Sequence, residues 1–533
     1  MVLSMLMSRK HVASSAIELP SRPALGAHVV PGYEAPLLWP VFLATLLGAL
    51  LLNEYHQHVF HKQQHDVAAP AVPHALVVAV AAALLAVHEA ARPCADSLAD
   101  VGALLCGAIT DAASAATQHA RRGFRPQFRG WSGAFHVVQA VLNTIARTHG
   151  RNVIWLRNAQ VLRRNSHAFG RVQGWLSCFA HGTTTERFAH IGLEHLWLRS
   201  KDTARISRRS FAVERDASRK LSAPTRSRRS SGESETDTDS DADPHVSDTR
   251  RQPEPTLEPL VLLYFHGGGY SSMSPDVYVD FCNRLRLQLE HEFRTVGASQ
   301  EKEERGDAPC PQGAASATPE VHVLIANYRK IPEAVYPAPA DDCMSMYEHL
   351  TRDLGVPPRR VVLAGDSAGA GLVLSTLLRV RDAGAELPLA AVCCCPWVDL
   401  ADSEAPAAHC ILQPTVGDGF RDFFKRSPPP PPPSSPSGPA PAAEAWREAH
   451  VVERDLSHLP PLLIQTGTFD VFHSHALRLA RSAERDAVRG YELDTHAEMP
   501  HVFPVFPPWL LPGATAGVTR MAQFVAKHAA RSG

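Results

Sequence analysis

The sequence predicts an α/β fold, a mostly parallel central sheet with helices on both faces, and three observations predict it. Short, wholly apolar runs of strand length recur through the C-terminal half of the chain. Buried parallel strands read this way because neither face meets water. Segments of helical length and pattern fall between several of these runs, and alternation of the two implies a sheet covered on both sides. The third observation is a glycine-flanked turn, Gly365-Asp366-Ser367-Ala368-Gly369, set between an apolar run and a helical pattern.

The strands follow in order. They are 260–265 (LVLLYF), 321–326 (VHVLIA), 360–364 (RVVLA), 389–395 (LAAVCCC) and 461–466 (PLLIQT), with a last one around 491–494. Segment 195–199 (HLWLR) reads as an earlier strand, and 340–354 and 370–383 read as helices between strands. Cys393, Cys394 and Cys395 lie in the fourth run, where buried thiols act as small hydrophobes.

The chain's 533 residues allow one large catalytic domain with appendages, and 45% hydrophobic content is enough for a sizeable core. A formal net charge of −1 gives no footing for nucleic-acid binding. None of the 10 cysteines forms a CxxC pair, so a zinc ribbon or a thioredoxin-like site is not expected.

Residues 1–122 read as a membrane-anchoring region. Its segment 36–52 (PLLWPVFLATLLGALLL) carries no charge and is just long enough to span a ~30 Å hydrocarbon layer. A second apolar run, 75–87, is short enough to be a core helix or the return arm of a hairpin. Arg9, Lys10 and Arg22 precede the first segment and Lys62 follows it. For a single span this places the catalytic domain on the lumenal side of a membrane. Residues 123–200 read as an amphipathic helical cap followed by the first strands. Segment 201–258 runs from a basic to an acidic block with few large apolar residues, so it cannot bury enough surface to order itself. Residues 259–533 form the catalytic core, interrupted by polar inserts at 297–318 and 427–443, the latter with six consecutive prolines.

The chemistry concentrates in three places. The G-x-S-x-G turn would lift the hydroxyl of Ser367 above the sheet edge on a tight strand-to-helix bend, with Gly365 and Gly369 leaving room for strand and helix to close up. Asp366 completes that motif. Directly after the first core strand come His266, Gly267, Gly268 and Gly269, whose side-chain-free backbone can approach a reacting carbonyl. The expected oxyanion donors are the amides of Gly267 and Gly268, joined by that of Ala368 after the nucleophile. A phosphate-binding loop is excluded on detail, because no Lys-Ser/Thr follows and the spacing is not GxGxxG. Asp470 follows the PLLIQT strand and His501 lies near the C-terminus, giving the order Ser, Asp, His. His473, His475 and His496 are rival bases and Asp494 a rival acid.

Five segments carry a family resemblance: HGGGY (266–270), NYRKIPEAVYPAPADDC (327–343), GDSAG (365–369), GTFDVF (467–472) and MPHVF (499–503). With these the chain resembles the hormone-sensitive lipase family of α/β-hydrolases, among them the steryl acetyl hydrolases and arylacetamide deacetylases of the endoplasmic reticulum. The resemblance implies an α/β-hydrolase fold and carboxylic ester hydrolysis by Ser367, His501 and Asp470. It further implies a lipophilic ester substrate and neither metal nor organic cofactor. Lys330 and Ile331 depart from the family pattern, and Ser474 stands about where a second Asp is common. A non-catalytic binding or scaffold protein of the same fold is the alternative of another class; a membrane-bound acylglycerol lipase or an amidase is the alternative within the class.

Overall fold

The computed structural model describes residues 98–152, 156–201, 259–305, 319–400, 405, 407–426 and 448–530. Eight strands form one sheet in the order β1-β2-β4-β3-β5-β6-β7-β8. β3 (Leu260–Phe265), β4 (Val321–Ala326), β5 (Val361–Asp366), β6 (Ala390–Cys394), β7 (Leu462–Gly467) and β8 (Glu492–His496) are parallel. β1 (Thr183–His190) and β2 (Leu193–Ser200) form an antiparallel hairpin, which joins the edge of β4 antiparallel.

Alternation along the strands divides the core in two. Leu263, Phe265, Leu363, Cys393 and Ile464 face one layer, with α5 (Ala338–Glu348), α6 (Ala368–Asp382) and α8 (His473–Arg485) packed over it. Leu262, Tyr264, Val362, Cys394 and Leu463 face the other, covered by α4 (Val279–Arg305) and α9 (Ala514–Ala529). Every residue of β3, β5, β6 and β7 is buried, as strands covered on both faces must be.

The remaining described helices are α1 (Leu98–Arg121), α2 (Gly133–His149), α3 (Leu156–Ala180) and α7 (Pro414–Arg426). α1 packs along α2, where Thr144 bonds Asp111, and α2 and α3 are tied to loops at the C-terminal edge of the sheet. Ser132 caps α2 by accepting from the Phe135 amide at 2.9 Å, and its hydroxyl donates to Leu510 O. Trp131 Nε1 donates to Glu498 O at 2.8 Å, and Arg163 Nε on α3 donates to Ser271 O at 2.6 Å.

Two expectations change. The hairpin strand β1 was not foreseen: its turn is Ile191-Gly192, both at positive φ, and isoleucine is an unusual occupant of a position that favours Asn or Gly. The polar insert expected from 297 begins inside α4, which continues through Arg305 on residues of high helix propensity. The segments 36–52, 75–87, 202–258 and 427–443 lie outside the described residues. Among the described residues no helix is long and apolar enough to cross a membrane.

Candidate active site

Ser367 stands between β5 and α6 with φ 52° and ψ −120°, a conformation L-residues rarely adopt. The surroundings hold it there. Its amide donates to Cys394 O at 2.9 Å, and its carbonyl accepts from the amides of Ala370 and Trp397, each at 3.1 Å. The flanking glycines are obligatory. A Cβ on Gly365 would lie 2.6 Å from the backbone of Gly369, and one on Gly369 would collide with Phe265 O. Ser367 is 5% exposed, and its hydroxyl makes no hydrogen bond among the described residues. Such contacts often close only around substrate.

Asp470 follows β7, and His501 lies in the turn after β8. The Nδ1–H of His501 donates to Asp470 Oδ1 at 2.8 Å, and the Phe472 amide donates to the same oxygen at 2.9 Å. Burial opposes ionisation of Asp470, yet the facing imidazole and these hydrogen bonds outweigh it and hold the carboxyl below its ordinary value. For His501 the balance is the same: burial disfavours the cation, but the Asp470 carboxylate prevails and raises its affinity for a proton. A short chain of rings links this pair to Ser367. His501 meets Phe472 edge-on at 5.1 Å, Phe472 stacks on Trp397 at 5.5 Å, and the Trp397 amide is bonded to Ser367 O.

The rival residues are engaged elsewhere. His496 pairs with Asp494 at 2.8 Å, His473 faces Thr466 Oγ1 at 3.3 Å, and the Nδ1 of buried His475 accepts from the Asp399 amide at 3.4 Å.

The glycine loop requires one correction. The Gly267 amide, expected as an oxyanion donor, is already bonded to Asp366 Oδ1 at 2.8 Å. Asp366 is fully buried and also accepts from Tyr264 at 2.6 Å and Tyr278 at 3.1 Å, so it ties the loop to the turn at Ser367. The amides of Gly268, Gly269 and Ala368 have no acceptor among the described residues. Gly268 (φ 105°) and Gly269 (φ 60°) need glycine twice over, because a Cβ would strike Ser272 O at 2.5 Å from the first and the Phe420 ring from the second. His266 is buried between the rings of Tyr278 and Tyr328, and its Nδ1–H donates to Gly267 O at 2.7 Å. Burial first, then the nearby Lys330, pushes its pKa down to about 3, so it is a neutral brace and not an acid.

Lys330, one of the departures from the family pattern, is 9% exposed. Its Nζ donates to Asn327 Oδ1 and Tyr328 O and lies 4.8 Å over the Tyr328 ring. Burial, with a contribution from Arg163, lowers its pKa to about 7. Because the unfolded chain holds this proton up to pH ~10, protonation opposes folding. The penalty is complete below pH 7 and fades between pH 7 and 10. Lys330→Met should therefore fare better relative to the wild type at pH 6, where it removes a buried charge, than at pH 10, where the lost hydrogen bonds to Asn327 and Tyr328 leave it less stable than the wild type. Denaturant midpoints at the two pH values check this.

Cys395, Asp470 and His501 present atoms within 4.8 Å of one another, the one cluster of metal-ligand type among the described residues. Asp470 and His501 are already bonded to each other, so the cluster belongs to the hydrogen bonding of the site.

A family model described as alpha/beta hydrolase fold matches residues 304–505. An acetyl-hydrolase of Streptomyces hygroscopicus is 36% identical over 249 residues, 46% of this chain and 67% of that protein. LipR of Mycobacterium tuberculosis is 31% identical over 42% of this chain and 58% of its own length. Among solved structures, an esterase from the bacterial hormone-sensitive lipase family aligns with a TM-score of 0.47 and 20% identity, covering 75% of this chain and 99% of that one. The site and the sheet define a serine hydrolase. The chain belongs to the hormone-sensitive-lipase-like α/β-hydrolases, a family of ester hydrolases.

Proposed function

We propose that the protein hydrolyses lipophilic, short-acyl carboxylic esters, with Ser367 as nucleophile, His501 as general base and Asp470 as the acid that orients it. Ser367 Oγ attacks the ester carbonyl while His501 Nε2 takes its proton. The amides of Gly268, Gly269 and Ala368 hold the oxyanion, each such donor contributing ~3 kcal/mol in the transition state. His501 then returns the proton to the leaving alcohol, and water repeats the cycle on the acyl-enzyme. The observation that carries the reading is the buried His501–Asp470 hydrogen bond, set at the same sheet edge as the strained Ser367.

Acyl size is argued from crowding. Phe420 from α7 packs on Gly269 and lies 5.1 Å from Trp397, which narrows the space beside the oxyanion loop. The acetyl-hydrolase relative points the same way. In this reading α2 and α3, within the expected cap region 123–200, cover the site, and the uncharged run 36–52 anchors the enzyme to a membrane. A panel of p-nitrophenyl esters from acetate to palmitate, with a steryl acetate and an acetanilide, tests the proposal. Highest kcat/KM on acetate or butyrate is expected, and a preference for palmitate or for the anilide contradicts the substrate class.

A further inference from the structure

Cys395 differs from its two cysteine neighbours. Cys393 and Cys394 lie within β6, whereas Cys395 follows the strand with φ 46°, a left-handed conformation that costs a non-glycine residue energy. Its amide is bonded to Gln465 O at 2.7 Å, and the side chain is fully buried. Strain of this kind persists where the surroundings impose it, and it concentrates at functional sites. What the strained backbone achieves is to place Sγ beside the His501–Asp470 pair, with the interacting atoms of all three residues within 4.8 Å of one another.

Asp470 supplies the second, independent observation. Its Oδ1 receives both His501 Nδ1–H and the Phe472 amide, while its Oδ2 is buried with no hydrogen-bond partner. A buried carboxylate oxygen without a donor is unfavourable, and a weak donor beside it has value that it would lack in water.

We infer that Cys395 is a positioning residue for the acid–base pair, its buried thiol packed within 4.8 Å of both partners and holding the carboxylate and imidazole in register. The inference rests on the proposed roles of Asp470 and His501. The groups that face the thiol are Asp470 after β7, His501 after β8 and Cys394 at the end of β6. Burial keeps Cys395 far above the ordinary thiol range, so it acts as a neutral S–H dipole and not as a nucleophile. A dipole with its hydrogen toward the carboxylate and its sulfur toward the imidazole stabilises the charged pair. It assists ionisation of Asp470 and raises the proton affinity of His501. That charged pair is the state formed as Ser367 attacks.

Cys395→Ala and Cys395→Ser, assayed on p-nitrophenyl acetate across pH and paired with thermal unfolding, test the inference. Cys395→Ala should lower kcat by roughly 10- to 100-fold with KM within about twofold. Its acid limb should shift to lower pH, because His501 loses part of the support for its cation. Cys395→Ser, which keeps a donor of similar size, should restore both kcat and the limb. A thiol that merely fills space predicts a lower melting temperature, an unmoved acid limb and no advantage of serine over alanine; that result overturns the inference. Covalent titration of Ser367 with an organophosphonate in the same samples keeps the two levels apart. Labelled protein with a normal Cys395→Ala profile sinks the positioning role alone, whereas wild-type protein that takes no label sinks the triad on which it rests.

Discussion

Ser367→Ala should lower kcat on a short-chain ester by about 10⁶-fold while leaving the melting temperature within a few degrees. The size follows from the roles. Without Oγ there is no acyl-enzyme, and His501 has no proton to take, so only the amides of Gly268, Gly269 and Ala368 and substrate binding are left to act on water. Stability should hardly move. The hydroxyl makes no hydrogen bond among the described residues, and alanine is tolerated at the turn as far as side-chain volume goes. The backbone strain at φ 52° is imposed by the bonds to Cys394, Ala370 and Trp397, and these survive the substitution. Steady-state kinetics with a thermal melt on the same preparation check both halves. Residual activity above about 1% would assign the nucleophile elsewhere.

Asp470→Asn should lower kcat by about 10⁴-fold at neutral pH. The carboxylate accepts from His501 Nδ1 at 2.8 Å, and so leaves Nε2 free to act as a base. Asparagine is neutral: its amide oxygen still accepts from His501 and the Phe472 amide, but the negative charge that supports the imidazolium formed during attack is gone. The pH profile should change as well. In the wild type, activity should rise as His501 loses its proton, and because Asp470 raises that proton affinity the rise should lie above the ordinary histidine value. In Asp470→Asn the residual activity should rise at lower pH. A variant with a wild-type profile and a loss below tenfold would remove Asp470 from the mechanism.

Much of this arrangement was legible in the sequence, for reasons that differ by element. β3 and β4 fall at the predicted bounds because both faces are buried and the chain shows unbroken apolar runs ended by His266 and Asn327. The turn at Ser367 was legible because two glycines are needed for strand and helix to touch, and that need is local. Asp470 and His501 could be read from their positions after strands, since the ends of parallel strands share one edge of the sheet.

What the sequence hid is non-local. Three consecutive glycines look equivalent, and the amide of Gly267 is consumed only because Asp366, 99 residues on, arrives beneath it. Cys395 reads as one more apolar strand residue, and its role depends on a positive φ that no residue type announces. The hairpin β1–β2 was hidden by Ile191 at its turn, although the glycine between two short runs was a usable signal. Lys330 did show itself, as a charge inside a motif, but its burial against Tyr328 is a product of packing.

The central claim, that Ser367 is activated by His501 within reach of free backbone amides, is tested most directly by mass spectrometry after treatment with a fluorophosphonate. One covalent adduct per chain is predicted, on the peptide containing Ser367 and absent from Ser367→Ala. Its rate of formation should fall steeply in His501→Gln. No adduct on folded wild-type protein, or an adduct on another residue, would contradict the account.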